Sequence, residues 1–364
     1  MEICFCVDTM ASGGAERVAS ILCNEFVKAG HAVDLVMVSE SEEKTFYPID
    51  ENVKLIPLLR GCSSRRHFFL TKIKRLKMVL KKKKYDAVIS FLPNVNVCAW
   101  LAAPRKRTYV HVVSERNDPY VDPKSLVRRA LKEMTFRKAD GIVCQTNDAK
   151  KYYEKKGWKP IVVIKNPLLD STLCPSTAKN CDVISVGRLE EQKNFKCLIN
   201  AFSAFSKNHP EARLKIYGDG SLKPSLLSQI ERLHLKEKVS LCGNSIGWAS
   251  ENINCALFIS ASLHEGMPNA LLEALGNKMP CIASDCPIGG SRELLSNDNG
   301  LLFENGNQSE LIAQMELLYH NRELIEKFEA NNESIKTKYS SFEISKQWTN
   351  FINGLIRKKE GKHG

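Results

Sequence analysis

The residues whose types and spacing could do chemistry gather in one stretch, HEGMPNALLEAL, at residues 264–275. Two glutamates, Glu265 and Glu273, bracket a Gly-Met-Pro-Asn step that is typical of a helix start, with Pro268 at the first helical position. Carboxylates accept hydrogen bonds from hydroxyls, whereas the N–H groups at a helix start bind anions. The stretch therefore predicts an extended ligand that carries hydroxyls at both ends and an anion between them.

Other polar residues follow predicted strands elsewhere in the chain. Arg188 and Lys193, in VGRLEEQKNF, come after a strand and before a helix that starts near Asn194, and two cations at one place suit a diphosphate. Gly13 and Gly14 stand where the first strand turns into a helix, and such glycines let a ligand approach the backbone.

A nucleotide sugar has the layout that these residues predict, since sugar, diphosphate and ribose follow one another. Each residue also has an ordinary structural interpretation. Arg188 and Lys193 could be solvated surface charges, and Gly13-Gly14 a tight turn. Glu265 could be an acid favoured by the helix dipole, and Glu273 a surface glutamate in mid-helix.

Short β-branched runs alternate with amphipathic stretches along the whole chain, which predicts an α/β fold with two doubly wound, Rossmann-like domains. We expect residues 1–166 to form the N-terminal domain, 167–341 the C-terminal domain, and 342–364 a helix that crosses back to the first domain. The segment 165–180 is rich in Pro, Ser and Thr and is the expected linker. In open α/β sheets ligands bind beyond the carboxyl ends of the strands, so the cleft between the domains is the expected site.

Composition narrows the class of protein. Hydrophobic residues make up 43% and charged residues 26%, and no apolar run approaches the ~20 residues that span a bilayer. No signal peptide is evident, and the cysteines stand mostly in apolar runs without a C-x-x-C pair, so we expect free thiols in a cytoplasmic protein. The net charge of +12 lies entirely in the N-terminal half, where residues 1–165 hold 31 Lys and Arg against 18 Asp and Glu. That half should therefore meet an anionic partner.

The sequence resembles the retaining glycosyltransferases of family 4, which have the GT-B fold and extend polyprenyl-diphosphate-linked or cell-surface glycans. SGGAER, VGRLEEQKNF, YGDG and EGMPNALLEAL occur in the family's order, across nearly the whole chain. The resemblance implies that the diphosphate of the donor lies against Gly14, Arg188 and Lys193, and that Glu273 binds the ribose hydroxyls. It places the transferred sugar against Glu265 and the adjoining backbone, at Gly266, Met267, Pro268, Asn269 and Ala270.

The resemblance also implies sugar transfer with retention of configuration, from a UDP-linked donor as is usual in the family. No cofactor is expected, and since the chain has no D-x-D motif, no metal either. One position departs from the family. Where close relatives read S-E-H-S-N, this chain has Arg116, which could contact the donor sugar or an acceptor phosphate. His111 falls earlier, within a strand, and is expected to be structural.

The basic excess predicts a partner of its own. Residues 61–84 contain no acid, and Phe69, Ile73, Leu76 and Leu80 form an apolar stripe expected to pack on the sheet. A second basic helix is expected at 124–138. The cations that could bind an anionic membrane surface or a lipid-linked acceptor are Lys72, Lys74, Arg75, Lys81, Lys82, Lys83 and Lys84. The same cations could equally be a solvated face. No nucleic-acid-binding motif accompanies the charge.

The favoured hypothesis is a glycosyltransferase on the inner face of the cell membrane, a monomer or weak dimer, that adds a hexose or N-acetylhexosamine to a lipid-linked glycan. Two alternatives remain open on the sequence. One is a nucleotide-sugar epimerase of the same fold, and the other is a catalytically silent, basic protein that binds membrane surfaces.

Overall fold

The structure, a computed structural model, describes residues 1–62, 68–158, 160–168, 180–319 and 321–361. The chain divides into two compact units. Unit 1 is Met1–Pro167 together with Ser340–Gly364, and unit 2 is Leu168–Tyr339. The sequence placed these two divisions after residues 166 and 341, one and two residues away. Most of the expected linker at 165–180 lies outside the described residues.

A parallel sheet forms the centre of unit 1, with seven strands in the described residues. They are β1 (Glu2–Val7), β2 (Ala32–Met37), β3 (Lys54–Pro57), β4 (Ala87–Phe91), β5 (Val110–Glu115), β6 (Gly141–Cys144) and β7 (Ile161–Val163). Their order across the sheet is β3-β2-β1-β4-β5-β6-β7. The order reverses between β1 and β4, and the carboxyl edge at such a switch point is where open α/β sheets bind ligands.

Helices cover both faces of this sheet. They are α1 (Gly14–Lys28), α2 (Phe68–Lys82), α3 (Pro93–Ala102), α4 (Leu126–Lys138) and α5 (Asn147–Glu154). α3 packs between α2 and α4. The apolar stripe of α2 is only partly core, because Leu76 and Leu80 are buried whereas Phe69 is 48% exposed.

Unit 2 repeats the design, with six parallel strands in its described residues. They are β8 (Asp182–Val186), β9 (Arg213–Tyr217), β10 (Val239–Gly243), β11 (Leu257–Ser260), β12 (Cys281–Asp285) and β13 (Leu301–Glu304). Their order is β10-β9-β8-β11-β12-β13, so the switch point lies between β8 and β11. The sequence reading missed β13, whose short apolar run Leu301–Phe303 was not recognised as a strand.

The helices of unit 2 are shorter on average. They are α6 (Phe195–Phe205), α7 (Lys223–Arg232), α8 (Trp248–Glu251), α9 (Asn269–Gly276), α10 (Gly290–Leu294), α11 (Gln308–Leu318), α12 (Arg322–Asn331) and α13 (Ile335–Lys338). Buried Phe195, Leu198 and Phe202 of α6 recur at helical spacing and pack into the core of this unit. The prediction of two doubly wound α/β domains is confirmed.

The last helix, α14 (Ser341–Glu360), belongs to unit 1. Its buried Trp348 lies 5.8 Å from Phe91 of β4, measured between ring centroids. The sequence predicted a helix only over 342–355 with a frayed end beyond it. The helix instead continues to Glu360, and Lys359 near its end donates a hydrogen bond of 2.5 Å to the carbonyl of Tyr109.

Candidate functional site

Two loops meet at the switch point of unit 2. One follows β8 and carries Arg188 and Lys193, and the other follows β11 and carries Glu265. The amide of Leu263 donates to the carbonyl of Gln192 (2.8 Å), and the Gln192 side chain donates to the carbonyl of His264 (2.7 Å). These hydrogen bonds fix the two loops against each other at the edge where ligands bind in this fold.

Lys193 and Glu265 form an ion pair across these loops. Ser262 Oγ donates a second hydrogen bond of 2.9 Å to the same carboxylate oxygen, Glu265 Oε1. Glu265 is only 8% exposed, and a buried carboxylate needs such partners. The sequence assigned the lysine to a diphosphate and the glutamate to a sugar as separate groups, and the structure shows them joined. Sequence reasoning missed Ser262, although it stands two residues after β11.

Arg188 presents a solvent-exposed guanidinium that makes no hydrogen bond or ion pair with any residue the structure describes. Its loop is nevertheless held in place. Glu190 accepts hydrogen bonds from the amide and hydroxyl of Ser221 (3.0 and 2.9 Å), which lower the pKa of the Glu190 carboxyl. Gly218 has φ +137°, and a Cβ there would lie 1.9 Å from the carbonyl oxygen of Gly187. The exposed guanidinium of Arg188 therefore stands on a fixed loop.

The start of α9 follows Glu265 directly. The sequence placed Pro268 at the first helical position, but its ψ of 107° is extended, so it is the N-cap residue and the helix begins at Asn269. No side chain caps this helix start. Gly266, Met267 and Pro268 are buried, while Asn269 and Ala270 are half-buried.

Gly290, the first residue of α10, packs against this segment. A Cβ on Gly290 would lie 1.8 Å from the carbonyl oxygen of Gly266. Since no real Cβ comes that close to a backbone atom, only glycine fits. The contact holds the backbone between Glu265 and α9 in place.

Glu273 lies inside α9 and is 7% exposed, so the interpretation as an ordinary surface glutamate is wrong. Its Oε2 accepts a hydrogen bond of 3.1 Å from the indole N–H of buried Trp248. Burial of a carboxylate costs free energy of folding. The indole therefore orients an acid whose burial stability alone does not favour, as is typical of a binding residue. Trp248 was missed in the sequence, where nothing in its surroundings distinguishes it from a core residue.

In unit 1, Gly13 is the N-cap residue of α1 and Gly14 is its first residue. No side chain caps the start of α1. A Cβ on Gly13 would lie 2.0 Å from the Glu16 carboxylate, so the turn leaves no room for a side chain as that carboxylate stands. The two glycines thus bring a bare backbone to the carboxyl edge beside β1.

Arg116 follows β5 at the same edge of unit 1. Its guanidinium carbon lies 4.4 Å from the centre of the Phe91 ring. Within the described residues the guanidinium makes no hydrogen bond or ion pair, and burial lowers the pKa of Arg116 to about 9. The carboxylates of Glu16 and Glu115 attract the guanidinium, but its removal from water outweighs that attraction. Its place at the carboxyl edge, without a hydrogen-bond partner in the described residues, makes Arg116 a candidate binding residue.

A buried network sets the position of Arg116. The carboxylate of Glu115 pairs with Lys132 Nζ at 2.5 Å and accepts a hydrogen bond from the Tyr153 hydroxyl. It also accepts hydrogen bonds from the amides of Arg116 (3.2 Å) and Asn117 (3.4 Å). These contacts therefore fix the turn that carries Arg116. Sequence reasoning missed Glu115 and Lys132, because a charged pair 17 residues apart gives no local signal.

His111 lies in β5 and is structural, as expected. Its Nε2 is 2.9 Å from Ser90 Oγ in the sheet, and burial lowers the pKa of the imidazole to about 3. The side chain is therefore neutral at physiological pH and is fully enclosed by the core.

The cations of the predicted basic patch lie along α2, from the carboxyl ends of the strands in unit 1 to their amino ends. Lys72 donates to Ser39, after β2, while Lys83 at the other end of α2 pairs with Glu2 and Asp34. Arg75 is also engaged, since it donates to the carbonyls of Leu58 and Arg60 (2.7 Å each). The helix of 15 residues separates its ends by about 22 Å. The predicted patch therefore extends along the whole of α2, with Lys72 near one end and the run Lys81–Lys84 at the other. Lys74, Lys81, Lys82 and Lys84 are exposed.

Among the described residues, no cluster of three His, Cys, Asp or Glu side chains could hold a metal ion. In that same part of the chain, no helix combines the length and apolar character needed to cross a membrane. The cysteines described there are free thiols, and most are buried.

Two family profiles together account for most of the chain. The profile "Glycosyltransferase Family 4" matches residues 12–168, and the profile "Glycosyl transferases group 1" matches residues 176–335. The boundary between these matches coincides with that between units 1 and 2. The chain belongs to the GT-B glycosyltransferases.

Individual relatives extend over its full length. An α-1,4-N-acetyl-D-galactosaminyltransferase of Campylobacter jejuni, which acts on a diNAcBac-PP-undecaprenol-linked glycan, is 28% identical and covers 97% of this chain and 98% of its own. The sucrose-phosphate synthase of Thermosynechococcus elongatus shares the fold at 14% identity, with a TM-score of 0.85 over 98% of this chain and 100% of its own. HepE of Anabaena, solved with UDP-glucose, has a TM-score of 0.77 at 16% identity, over 97% of this chain and 100% of its own.

Proposed function

We propose that this glycosyltransferase moves a hexose or N-acetylhexosamine from a UDP-sugar to a lipid-linked oligosaccharide, with retention of anomeric configuration. The observation that carries the proposal is the group at the switch point of unit 2. There the exposed Arg188, the Lys193–Glu265 ion pair and the start of α9 stand side by side. The relative that acts on an undecaprenyl-diphosphate-linked glycan supports the acceptor class.

Each residue of the group has a part in binding the donor. Arg188 and Lys193 bind the diphosphate, and Glu265 with the backbone of Gly266 to Ala270 binds the transferred sugar. Glu273, oriented by Trp248, accepts hydrogen bonds from the ribose hydroxyls. These fixed charges stabilise the diphosphate as it leaves, which is the main electrostatic requirement of the reaction.

The ion pair also explains how carboxylates and a diphosphate share one site. Lys193 neutralises Glu265 before any phosphate arrives, so the donor meets a net cation from Arg188 rather than an acid. When Lys193 donates to the phosphate of the donor, the Glu265 carboxylate is released to accept hydrogen bonds from the sugar hydroxyls.

Unit 1 binds the acceptor in this proposal. Its half of the chain carries the whole positive excess, which suits an anionic, membrane-borne substrate on the inner face of the cell membrane. Arg116 contributes there, since its half-buried guanidinium makes no hydrogen bond or ion pair in the described residues and can donate to an anionic group of the substrate.

Removing either cation tests the proposal. Arg188→Ala and Lys193→Ala should each lower kcat/KM for the UDP-sugar by 10²–10³-fold, the usual effect of losing one preorganised group. Lys196→Ala is the matched control, because Lys196 is a half-buried lysine three residues on whose ammonium pairs with the exposed Glu191. Its turnover should remain near that of the wild type.

The readout separates the proposed reaction from others. Transfer of labelled sugar to a lipid-diphosphate glycan is measured, with the anomeric configuration of the product read by NMR. The site assignment is wrong if Arg188→Ala and Lys193→Ala both turn over normally. An epimerised donor instead of a glycosylated product would exclude transfer, and EDTA should leave the rate unchanged if the cations do the work of a metal.

A further inference from the structure

A cavity of about 310 Å³ opens at the carboxyl edge of the sheet in unit 1. It lies among α2, α3 and α4 and the loops that follow β1 and β2. Its volume is at the lower end for small-molecule sites. The proposed donor residues of unit 2 do not line it, and Gly13, Gly14 and Arg116 do not line it either.

One wall of the cavity is polar and carries a positive excess. Lys72 Nζ donates to Ser39 Oγ at 2.6 Å, and Ser39 in turn donates to the carboxylate of Asp8. The ammonium of Lys72 has two further N–H donors. Arg128 also lines the cavity, and its exposed guanidinium makes no hydrogen bond or ion pair within the described residues. Two cations against one carboxylate favour an anion.

The other wall of the cavity is apolar, and Phe69 of α2 and Leu131 of α4 line it. The first turns of the same two helices carry further apolar side chains. Leu70 in α2 is 63% exposed, and Leu126 and Val127 in α4 are 78% and 71% exposed. Large apolar side chains so exposed indicate a contact with an apolar partner.

We propose that this cavity binds the phosphate end of the lipid-linked acceptor, whose hydrocarbon chain leaves over the rim of Phe69, Leu70, Leu126 and Val127. The inference rests on the proposed function and gives the acceptor its place. An anionic head on an apolar chain is the one ligand that matches both walls at once. Lys81–Lys84, at the far end of α2, take no part in it.

Isothermal titration of the full chain tests the site with three probes: farnesyl diphosphate, inorganic diphosphate and farnesol. Farnesyl diphosphate should bind at least tenfold tighter than either fragment. Arg128→Gln should weaken it about tenfold or more, the effect of losing a charged hydrogen bond, and Lys72→Met similarly. The double variant Phe69→Ser/Leu126→Ser should weaken farnesyl diphosphate but leave inorganic diphosphate unchanged.

Lys81→Gln/Lys82→Gln is the matched control, because it removes two cations from the other end of the same helix. Its affinity should stay within about twofold of the wild type after correction for ionic strength. Equal weakening in this control and in Arg128→Gln would mean general electrostatics and overturn the proposal. Normal binding by Arg128→Gln, or no binding of farnesyl diphosphate by the wild type, would also overturn it.

UDP separates this proposal from the proposed function. UDP should bind the Arg128→Gln variant normally and should not displace farnesyl diphosphate. Displacement would assign the cavity to the donor and overturn the inference while sugar transfer stands. A protein that binds farnesyl diphosphate through Arg128 but neither binds nor turns over UDP-sugars would support the cavity and reject the proposed reaction.

Discussion

Glu265 and Lys193 show how single residues can be recognised in sequence while their relation is not. Each followed a strand at the edge where ligands bind, so type and position were enough to select it. Their ion pair joins residues 72 positions apart, and no local pattern encodes such a contact. The same limit hid Trp248 and Glu115, whose partners Glu273 and Lys132 lie 25 and 17 residues away along the chain.

Arg116 lets activity be separated from stability. Arg116→Met should raise the melting temperature, since burial of the guanidinium outweighs its attraction to Glu16 and Glu115. The methionine would keep the apolar contact with Phe91. A gain of about 1 kcal/mol corresponds to roughly 2–4 °C. Sugar transfer should nevertheless fall tenfold or more, because the substrate loses its counter-charge. Thermal melts and initial rates on the same preparation measure both.

Arg116→Lys is the control for charge. It should restore part of the activity without the gain in stability, since an ammonium keeps the charge but not the flat contact with the ring. A methionine variant that melts lower than the wild type would show that Arg116 is structural. A variant that transfers sugar at the normal rate would show that Arg116 does not bind the substrate.

At the scale of elements, the strands that consist of β-branched runs were predicted well, because β-propensity and burial favour the same residues there. β13 was missed because its apolar run, Leu301–Phe303, holds no β-branched residue. Helix α2 shows a different limit. Its basic residues follow one another in sequence, but a helix spreads them over about 22 Å, and only the fold shows that Lys72 and Lys83 meet opposite edges of the sheet.

The contact between α10 and the loop before α9 is an element-scale device that can be tested. Gly290→Ala places a methyl group against the carbonyl of Gly266, so the backbone that leads into α9 must shift. We expect a loss of about 1–3 kcal/mol in stability, the usual cost of overpacking, and at least tenfold weaker UDP binding by titration.

Gly354→Ala is its control, because a Cβ at Gly354 in α14 would meet nothing within 4 Å. This variant should be neutral or stabilising by up to about 1 kcal/mol, as alanine favours a helix more than glycine does. If Gly290→Ala binds UDP as tightly as Gly354→Ala does, the α10 contact does not shape the donor site.

At the scale of the whole molecule, the chain returns to unit 1 after completing unit 2. α14 seals the core of unit 1 through side chains spaced along one face, among them the buried residues Ile344, Trp348, Ile352 and Leu355. Helical spacing of apolar residues made this helix predictable, whereas its destination followed only from the resemblance. The positive excess and the last helix therefore belong to the same unit.

Trp348 gives this architecture a test. Trp348→Ala empties a site that is 1% exposed and should destabilise unit 1 by about 3–5 kcal/mol, while unit 2 is unaffected. Calorimetry should show two transitions, of which UDP raises only the one from unit 2, since a ligand stabilises the unit that binds it. The variant should lower the UDP-insensitive transition alone.

Phe342→Ala, on the same helix but 61% exposed, is the control and should change the stability of neither unit by more than about 0.5 kcal/mol. A Trp348→Ala protein in which the UDP-sensitive transition falls equally would contradict the assignment of α14 to unit 1.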